Sequence, residues 1–285
     1  MGYRLGLYEK ALPPLPWEEK LRNAKNAGFD WLEISIDETD EKLGRLGWGH
    51  EKLVELKRAS ESTGCPILTM CLSGHRRFPL GSRDAEIRRK ALDIMRRAVF
   101  FSAETGIRII QLAGYDVYYE DSGDDTREWF DENLARCVEI AAENGVLLGF
   151  ETMETPFMDT MQKAMRHLKA SCSPYLGIYP DVGNLTNASL LYGFNVCDDI
   201  AAGRGHIFAA HLKETMPGVY RNLSFGQGHT DCVSVVKSLY EMGVRMYTGE
   251  FWYQEGQDWR QNLSATAAFL RGQIECAITQ CGGTL

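Results

Sequence analysis

Four runs in the second half of the chain end on side chains of the kind that hold metal ions. Leu148-Gly149-Phe150 closes on Glu151, Ile178-Tyr179-Pro180 on Asp181, Ala209-Ala210 on His211 and Thr248-Gly249 on Glu250. Each residue alone has an ordinary explanation. A glutamate ending a strand pairs with a lysine or caps a helix, Asp181 before Val182-Gly183-Asn184 caps a turn, and a histidine between alanines sits satisfied in a core. The pattern carries more than its parts. Neighbouring strands lie about 4.8 Å apart, so four such side chains at the same end of four successive strands can meet at one ion. Three carboxylates gathered in one enclosed place repel one another unless a cation neutralises them. Three oxygen donors and one imidazole suit a fairly hard divalent ion with open positions, Mn²⁺ or Mg²⁺ first, with Co²⁺ and Zn²⁺ as alternatives.

The elements that must bring these residues together are marked by glycines. Gly28, Gly64, Gly106, Gly145 and Gly243 each end a helical pattern and open an apolar, strand-like run. Glycine adopts the left-handed conformation that closes a helix. Between these marks eight strands alternate with eight helices: Tyr3–Tyr8, Trp31–Ile36, Ile67–Leu72, Arg108–Ala113, Val146–Glu151, Leu176–Asp181, Ile207–Lys213 and Met246–Trp252, with helices from Trp17, His50, Arg83, Trp129, Met161, Cys197, Asp231 and Trp259. Short apolar strands in such alternation form a parallel sheet covered by helices. Closure of eight gives a single (β/α)8 TIM barrel, one domain over residues 1–285, and barrel enzymes carry their chemistry at the strand C-terminal ends. An open doubly wound sheet is the alternative, although no glycine-rich dinucleotide fingerprint follows the first strand.

Bulk composition removes other classes. The 285 residues have 44% hydrophobic content and a net charge of −8. An acidic chain without a basic stripe does not suit nucleic acid. No apolar stretch reaches the roughly 18 residues of a membrane span, and no signal peptide is read at the start. The eight cysteines are scattered without a Cys-x-x-Cys pair, which suits reduced thiols in a cytoplasmic protein.

The residues around the four ligands resemble a known family. Glu151-Thr152-Met153 followed by Pro156, the run Tyr179 to Leu185, His211-Leu212-Lys213-Glu214-Thr215 with Pro217-Gly218, Phe225-Gly226-Gln227-Gly228, and Gly249-Glu250-Phe251-Trp252 are similar to the L-ribulose-5-phosphate 3-epimerases, members of the xylose-isomerase-like barrel superfamily. The opening run Leu5 to Pro13 and the segment Leu72 to Pro79 fit the same family. The resemblance spans essentially the whole chain. It implies that Glu151, Asp181, His211 and Glu250 are metal ligands, and that Glu151 and Glu250 also carry protons. Related free-ketose 3-epimerases have a histidine where this chain has Asn184 and a substrate-binding glutamate where it has Phe157, which favours a phosphorylated substrate.

The implied reaction inverts C3 of a ketopentose 5-phosphate, L-ribulose 5-phosphate or L-xylulose 5-phosphate, through a metal-stabilised enediolate. Two bases on opposite faces are needed, and strands five and eight put Glu151 and Glu250 on opposite sides of the ligand arc. Candidates for gripping the phosphate are Lys10, His75, Arg76, Arg77, Lys213 and Arg221, with Asn184 as a further substrate contact; an arginine fork matches phosphate oxygens. An aldose–ketose isomerase of the same superfamily and a non-catalytic sugar-phosphate binder are the rival readings. A metal-dependent endonuclease on this barrel needs more histidines than the six present. The expected partners are a small sugar phosphate and further copies of the chain, in a dimer or tetramer.

Overall fold

In the computed structural model, which describes residues 2–283, eight parallel strands run in the order β6-β5-β4-β3-β2-β1-β8-β7. Residues 1, 284 and 285 of the expected domain lie outside the described residues. The elements follow one another as β1 (Arg4–Tyr8), α1 (Trp17–Ala27), β2 (Trp31–Ile36), α2 (Asp40–Gly44), α3 (His50–Thr63), β3 (Ile67–Leu72), α4 (Ala85–Thr105), β4 (Ile109–Ala113), α5 (Asp124–Glu143) and β5 (Leu147–Glu151). The second half continues with α6 (Met161–Ser171), β6 (Leu176–Ile178), α7 (Val182–Tyr192), α8 (Val196–Ala201), β7 (Ala210–Leu212), α9 (Cys232–Glu241), β8 (Met246–Gly249) and α10 (Trp259–Gln280). Two single bridges, Ile178 to Ile207 and Asp181 to His211, join β6 to β7 and close the ring. The fold is a TIM barrel.

All five glycines read as helix closers have positive φ, from 63° at Gly64 to 103° at Gly28. The expected strands hold with trimmed ends, β6 and β7 most of all. Pro180 has no N–H to give, so the ladder there thins to the Asp181–His211 bridge. Two helices follow β6 where one was expected from Cys197: α7, whose Gly183 and asparagines mute its pattern, and α8.

Alternation along strands turns every second side chain into the barrel. Outward side chains such as Leu32, Ile34 and Ile36 pack under the helices and are fully buried. Gly6 leaves room for the Trp31 indole, since a Cβ there would lie 2.2 Å from the ring; Gly6→Ala would push that buried ring out of place. Inward positions Glu33, Thr69, Gln111, Tyr179, His211 and Thr248 make a polar layer, all of them fully buried. That layer is the floor on which the site rests.

Candidate active site

Strand-to-strand hydrogen bonds align the four ligand-type residues. Tyr179 N donates to Phe150 O at 2.7 Å, His211 N to Pro180 O at 2.9 Å and Glu250 N to Leu212 O at 2.8 Å. Glu151 ends β5, Asp181 caps α7, His211 is the centre of β7 and Glu250 follows β8. One ligand atom from each falls within 4.8 Å of all the others, and all four residues are buried. His211 Nδ1 lies 3.1 Å from Glu250 Oε2, 3.5 Å from Glu151 Oε1 and 3.9 Å from Asp181 Oδ2. Asp181 serves both of the roles read for it. Its Oδ1 accepts the Asn184 N–H at 2.7 Å as a helix cap, which leaves Oδ2 to face the cluster.

Charge is unbalanced here. Lys213 Nζ reaches Asp181 Oδ2 at 2.9 Å and Glu250 Oε2 at 3.3 Å, so one lysine and one imidazole answer three buried carboxyls. Burial pushes the Asp181 and Glu151 carboxyls above the usual range. Burial also opposes ionisation of Glu250, but Lys213 and His211 outweigh it and hold that carboxyl well below the usual range. Burial disfavours a charged His211, yet Glu33 and Glu250 overcome it and raise its proton affinity. Asp181 Oδ2 is buried and has the Lys213 ammonium as its ion-pair partner, outside hydrogen-bond alignment. A donor set of three buried carboxyls and one imidazole, with ligand atoms within 4.8 Å of one another, fits a divalent cation.

Above the cluster opens a cavity of about 410 Å³. Lys10, Arg76, Asn184, Lys213 and Arg221 line it together with Glu151 and Glu250. Arg76 is the lining cation with a spare donor. Its guanidinium lies 4.7 Å from the Tyr118 ring centroid and 3.4 Å from Tyr115 Oη, and its Nε is buried without a partner. Lys10 Nζ is engaged by Asp37 at 2.6 Å, and Arg221 stands over the Trp252 ring at 5.6 Å.

Two of the expected phosphate contacts are elsewhere. His75 is buried against α4, with Nε2 3.1 Å from Ala91 O, and Arg77 points outward to Asp40 at 2.8 Å. The segment Ser73–Arg76 is a 3-10 turn. Such a turn rotates successive side chains by about 120°, so three neighbours cannot face one cavity and only Arg76 does. Lys213 sits in the carboxyl cluster rather than on the rim.

Comparison with known proteins gives the family and the fold. Residues 21–273 match the family model described as xylose isomerase-like TIM barrel. L-ribulose-5-phosphate 3-epimerase UlaE of Escherichia coli (strain SE11) is 41% identical over 279 residues, covering 98% of this chain and 96% of its own. The enzyme of the same name from Shigella boydii serotype 18 is 44% identical over 256 residues, covering 89% of both chains. The chain belongs to the L-ribulose-5-phosphate 3-epimerase family. That is a family of isomerases. Solved structures share the fold at lower identity: a 3-keto-D-glucoside 4-epimerase, YcjR, from E. coli has a TM-score of 0.78 at 20% identity, covering 95% of this chain and 99% of that one. An L-ribulose 3-epimerase has a TM-score of 0.76 at 17% identity, covering 99% and 97%.

In this 3-epimerase family member, Asn184 and Phe157, the positions read as departures from free-ketose enzymes, are placed differently. Asn184 lines the cavity; its Nδ2 donates to Thr152 O at 2.8 Å and its Oδ1 is buried without a partner. Phe157 does not. The loop after β5 turns it outward onto Phe130 and His167, with ring centroids 5.0 and 5.2 Å away. Glu154 supplies the carboxyl on that side of the cavity and accepts the Tyr115 O–H at 2.8 Å. The motif Phe225 to Gly228 is structural: Gly226 N and Thr230 N donate to the buried Glu214 at 2.8 and 3.1 Å, shaping the loop between β7 and α9. The residue that reading by strand ends misses is Glu33. It lies within β2, fully buried, with Oε1 2.6 Å from His211 Nε2. Its signal was present as one carboxylate inside the otherwise apolar run Trp31-Leu32-Glu33-Ile34.

Proposed function

We propose that this chain inverts C3 of a ketopentose 5-phosphate, interconverting L-ribulose 5-phosphate and L-xylulose 5-phosphate, with Glu151 and Glu250 as the two proton carriers. The observation that carries the reading is the convergence of Glu151, Asp181, His211 and Glu250 within 4.8 Å on the floor of a cavity with a basic rim. These four residues would hold one divalent ion, Mn²⁺ first among Mg²⁺, Co²⁺ and Zn²⁺. When bound, the ion supplies the positive charge that makes the C–H beside a ketone acidic.

The protein does the rest. Glu151 and Glu250 flank Asp181 and His211 from strands β5 and β8, so a sugar seated between them presents opposite faces of C3 to the two carboxyls. Each exchanges role with the direction of reaction. Arg76 grips the phosphate, with Lys10 as the alternative and Arg221 on the rim, and Asn184 orients the sugar. Names of the relatives support the substrate, and eight free cysteines support a reducing, cytoplasmic setting. No described helix is long and apolar enough to cross a membrane. The chain works as one domain in an even-numbered homo-oligomer; exposed Leu190, Leu191 and Tyr192 at the end of α7 are apolar surface that a second copy would cover.

Turnover in D₂O tests the reading. Product should carry deuterium at C3 and none at C1, because the returning proton comes from a carboxyl that exchanges with water. Deuterium absent from C3, with an aldose accumulating, would replace the epimerase by an isomerase.

A further inference from the structure

We infer that Glu33 is a positioning residue for metal binding, fixing His211 so that Nδ1 is the ligating nitrogen; this rests on the metal reading above. The two ring nitrogens of His211 face different surroundings. Nδ1 looks toward Glu250, Glu151 and Asp181 at 3.1, 3.5 and 3.9 Å. Nε2 looks the other way, to Glu33 Oε1 at 2.6 Å. Gln111 cannot make this distinction, because its Nε2 lies 3.1 Å from one nitrogen and 3.3 Å from the other. The carboxyl of Glu33 makes it. By accepting the Nε2–H it leaves the Nδ1 lone pair directed into the carboxyl cluster.

Glu33 is itself held. Its Oε2 accepts the Thr69 O–H at 2.7 Å, and Trp31 Nε1 lies 3.4 Å from Thr69 Oγ1. The chain Trp31, Thr69, Glu33, His211 therefore runs inside the barrel, from the inward face of β2 to the cluster. Glu33 is not a fifth ligand, since it meets the ring on the side opposite Nδ1. Nor is it a general stabiliser of the core. A carboxylate at zero exposure is costly to bury, and a well-packed apolar residue would stabilise a strand interior at least as well. One of its oxygens meets the imidazole and the other is anchored by Thr69. Carboxyl groups in this relation to a ligating histidine set the tautomer and ring orientation, and their loss weakens metal binding about 10–100-fold.

The test is Mn²⁺ affinity, measured by titration calorimetry and by the EPR signal of free Mn²⁺, with no turnover involved. Glu33→Gln should weaken Mn²⁺ binding at least about 10-fold while wild-type and Arg77→Ala chains bind alike. Thr69→Val, which frees Glu33 without touching His211, should weaken it in the same direction by less, and keeps the test open should Glu33→Gln fold poorly. Visible absorption of the Co²⁺-loaded chains should shift in both variants, as a change of ligand orientation requires and a merely loosened fold does not. Wild-type affinity retained in Glu33→Gln and Thr69→Val overturns the inference and leaves the metal site standing. A wild-type chain that binds no Mn²⁺ overturns the metal reading itself.

Discussion

Two buried ionic clusters flank the mouth of this barrel, and they are balanced in opposite ways. Behind β1, Glu9 is answered by three cations: Lys20 at 2.5 Å, Lys42 at 2.9 Å and Arg45 at 2.7 Å, with the Ser35 N–H at 2.9 Å. Burial opposes its charge, but Arg45 and Lys20 override this and hold the carboxyl far below the usual range. At the strand ends, Glu151, Asp181 and Glu250 share Lys213 and His211 alone. The first cluster is complete and ties α1, α2, β1 and β2 together. The second is short of positive charge, with one lysine shared between Asp181 and Glu250. Surplus cation marks a structural hub; deficit marks a place built for an ion to arrive.

The largest expected effect breaks the deficient cluster. Glu250→Gln should lower epimerisation by about 10²–10⁴-fold, the range for removing an acid–base group, with the far-UV spectrum unchanged. Bound metal must be assayed alongside, because the same carboxyl is a ligand candidate. Loss of exchange in both epimers with metal retained would favour a single-base mechanism over the two-base one.

Next comes the complete cluster. Glu9→Ala leaves two buried cations, Lys20 and Arg45, and the half-buried Lys42 without their anion, which costs about 3–5 kcal/mol. The urea midpoint should fall by the corresponding amount while the folded fraction still binds its ion. A chain of unchanged stability would mean that Glu9 is not the hub described.

His75 shows a third way to bury a titratable group, with no counter-charge at all. Burial pushes its pKa down to about 4, against 6.5 in the unfolded chain. Between those values the unfolded chain binds a proton that the folded chain refuses. Stability from this source is therefore full above pH 6.5 and is lost as pH falls toward 4, a loss of about 3 kcal/mol. Unfolding free energies from pH 7 to 4.5 should show that slope in the wild type and a shallower one in His75→Gln.

The smallest effect concerns the rim. Arg76→Ala should weaken binding of the phosphorylated sugar about 10–100-fold, the worth of a charge-assisted contact, and leave the unphosphorylated sugar nearly unaffected. Equal losses for both would remove Arg76 from the phosphate site.

Legibility in the sequence followed the same division. Glu151, Asp181, His211 and Glu250 could be read because barrel topology fixes where strand ends meet, whatever the details between them. The five helix-closing glycines were legible because positive φ is a local demand. Glu33 was only half legible: a lone carboxylate in an apolar run marks it as unusual, but only the closed ring brings it to His211, 178 positions away. The basic loop after β3 misled for the converse reason. His75, Arg76 and Arg77 are adjacent in sequence, but the 3-10 turn sends them to a helix, the cavity and the solvent. α7 hid because Val182 to Tyr192 is nearly all buried for its first seven residues, without the polar face that marks a surface helix.

The contrast between the two clusters comes down to one titration. Chains stripped with chelator and returned to Mn²⁺ should bind one ion per chain, with thermal stability rising as the ion is added, and Asp181→Asn should lose both the ion and the rise. A wild-type chain that takes up no ion, or an Asp181→Asn chain that binds as well, would contradict the account.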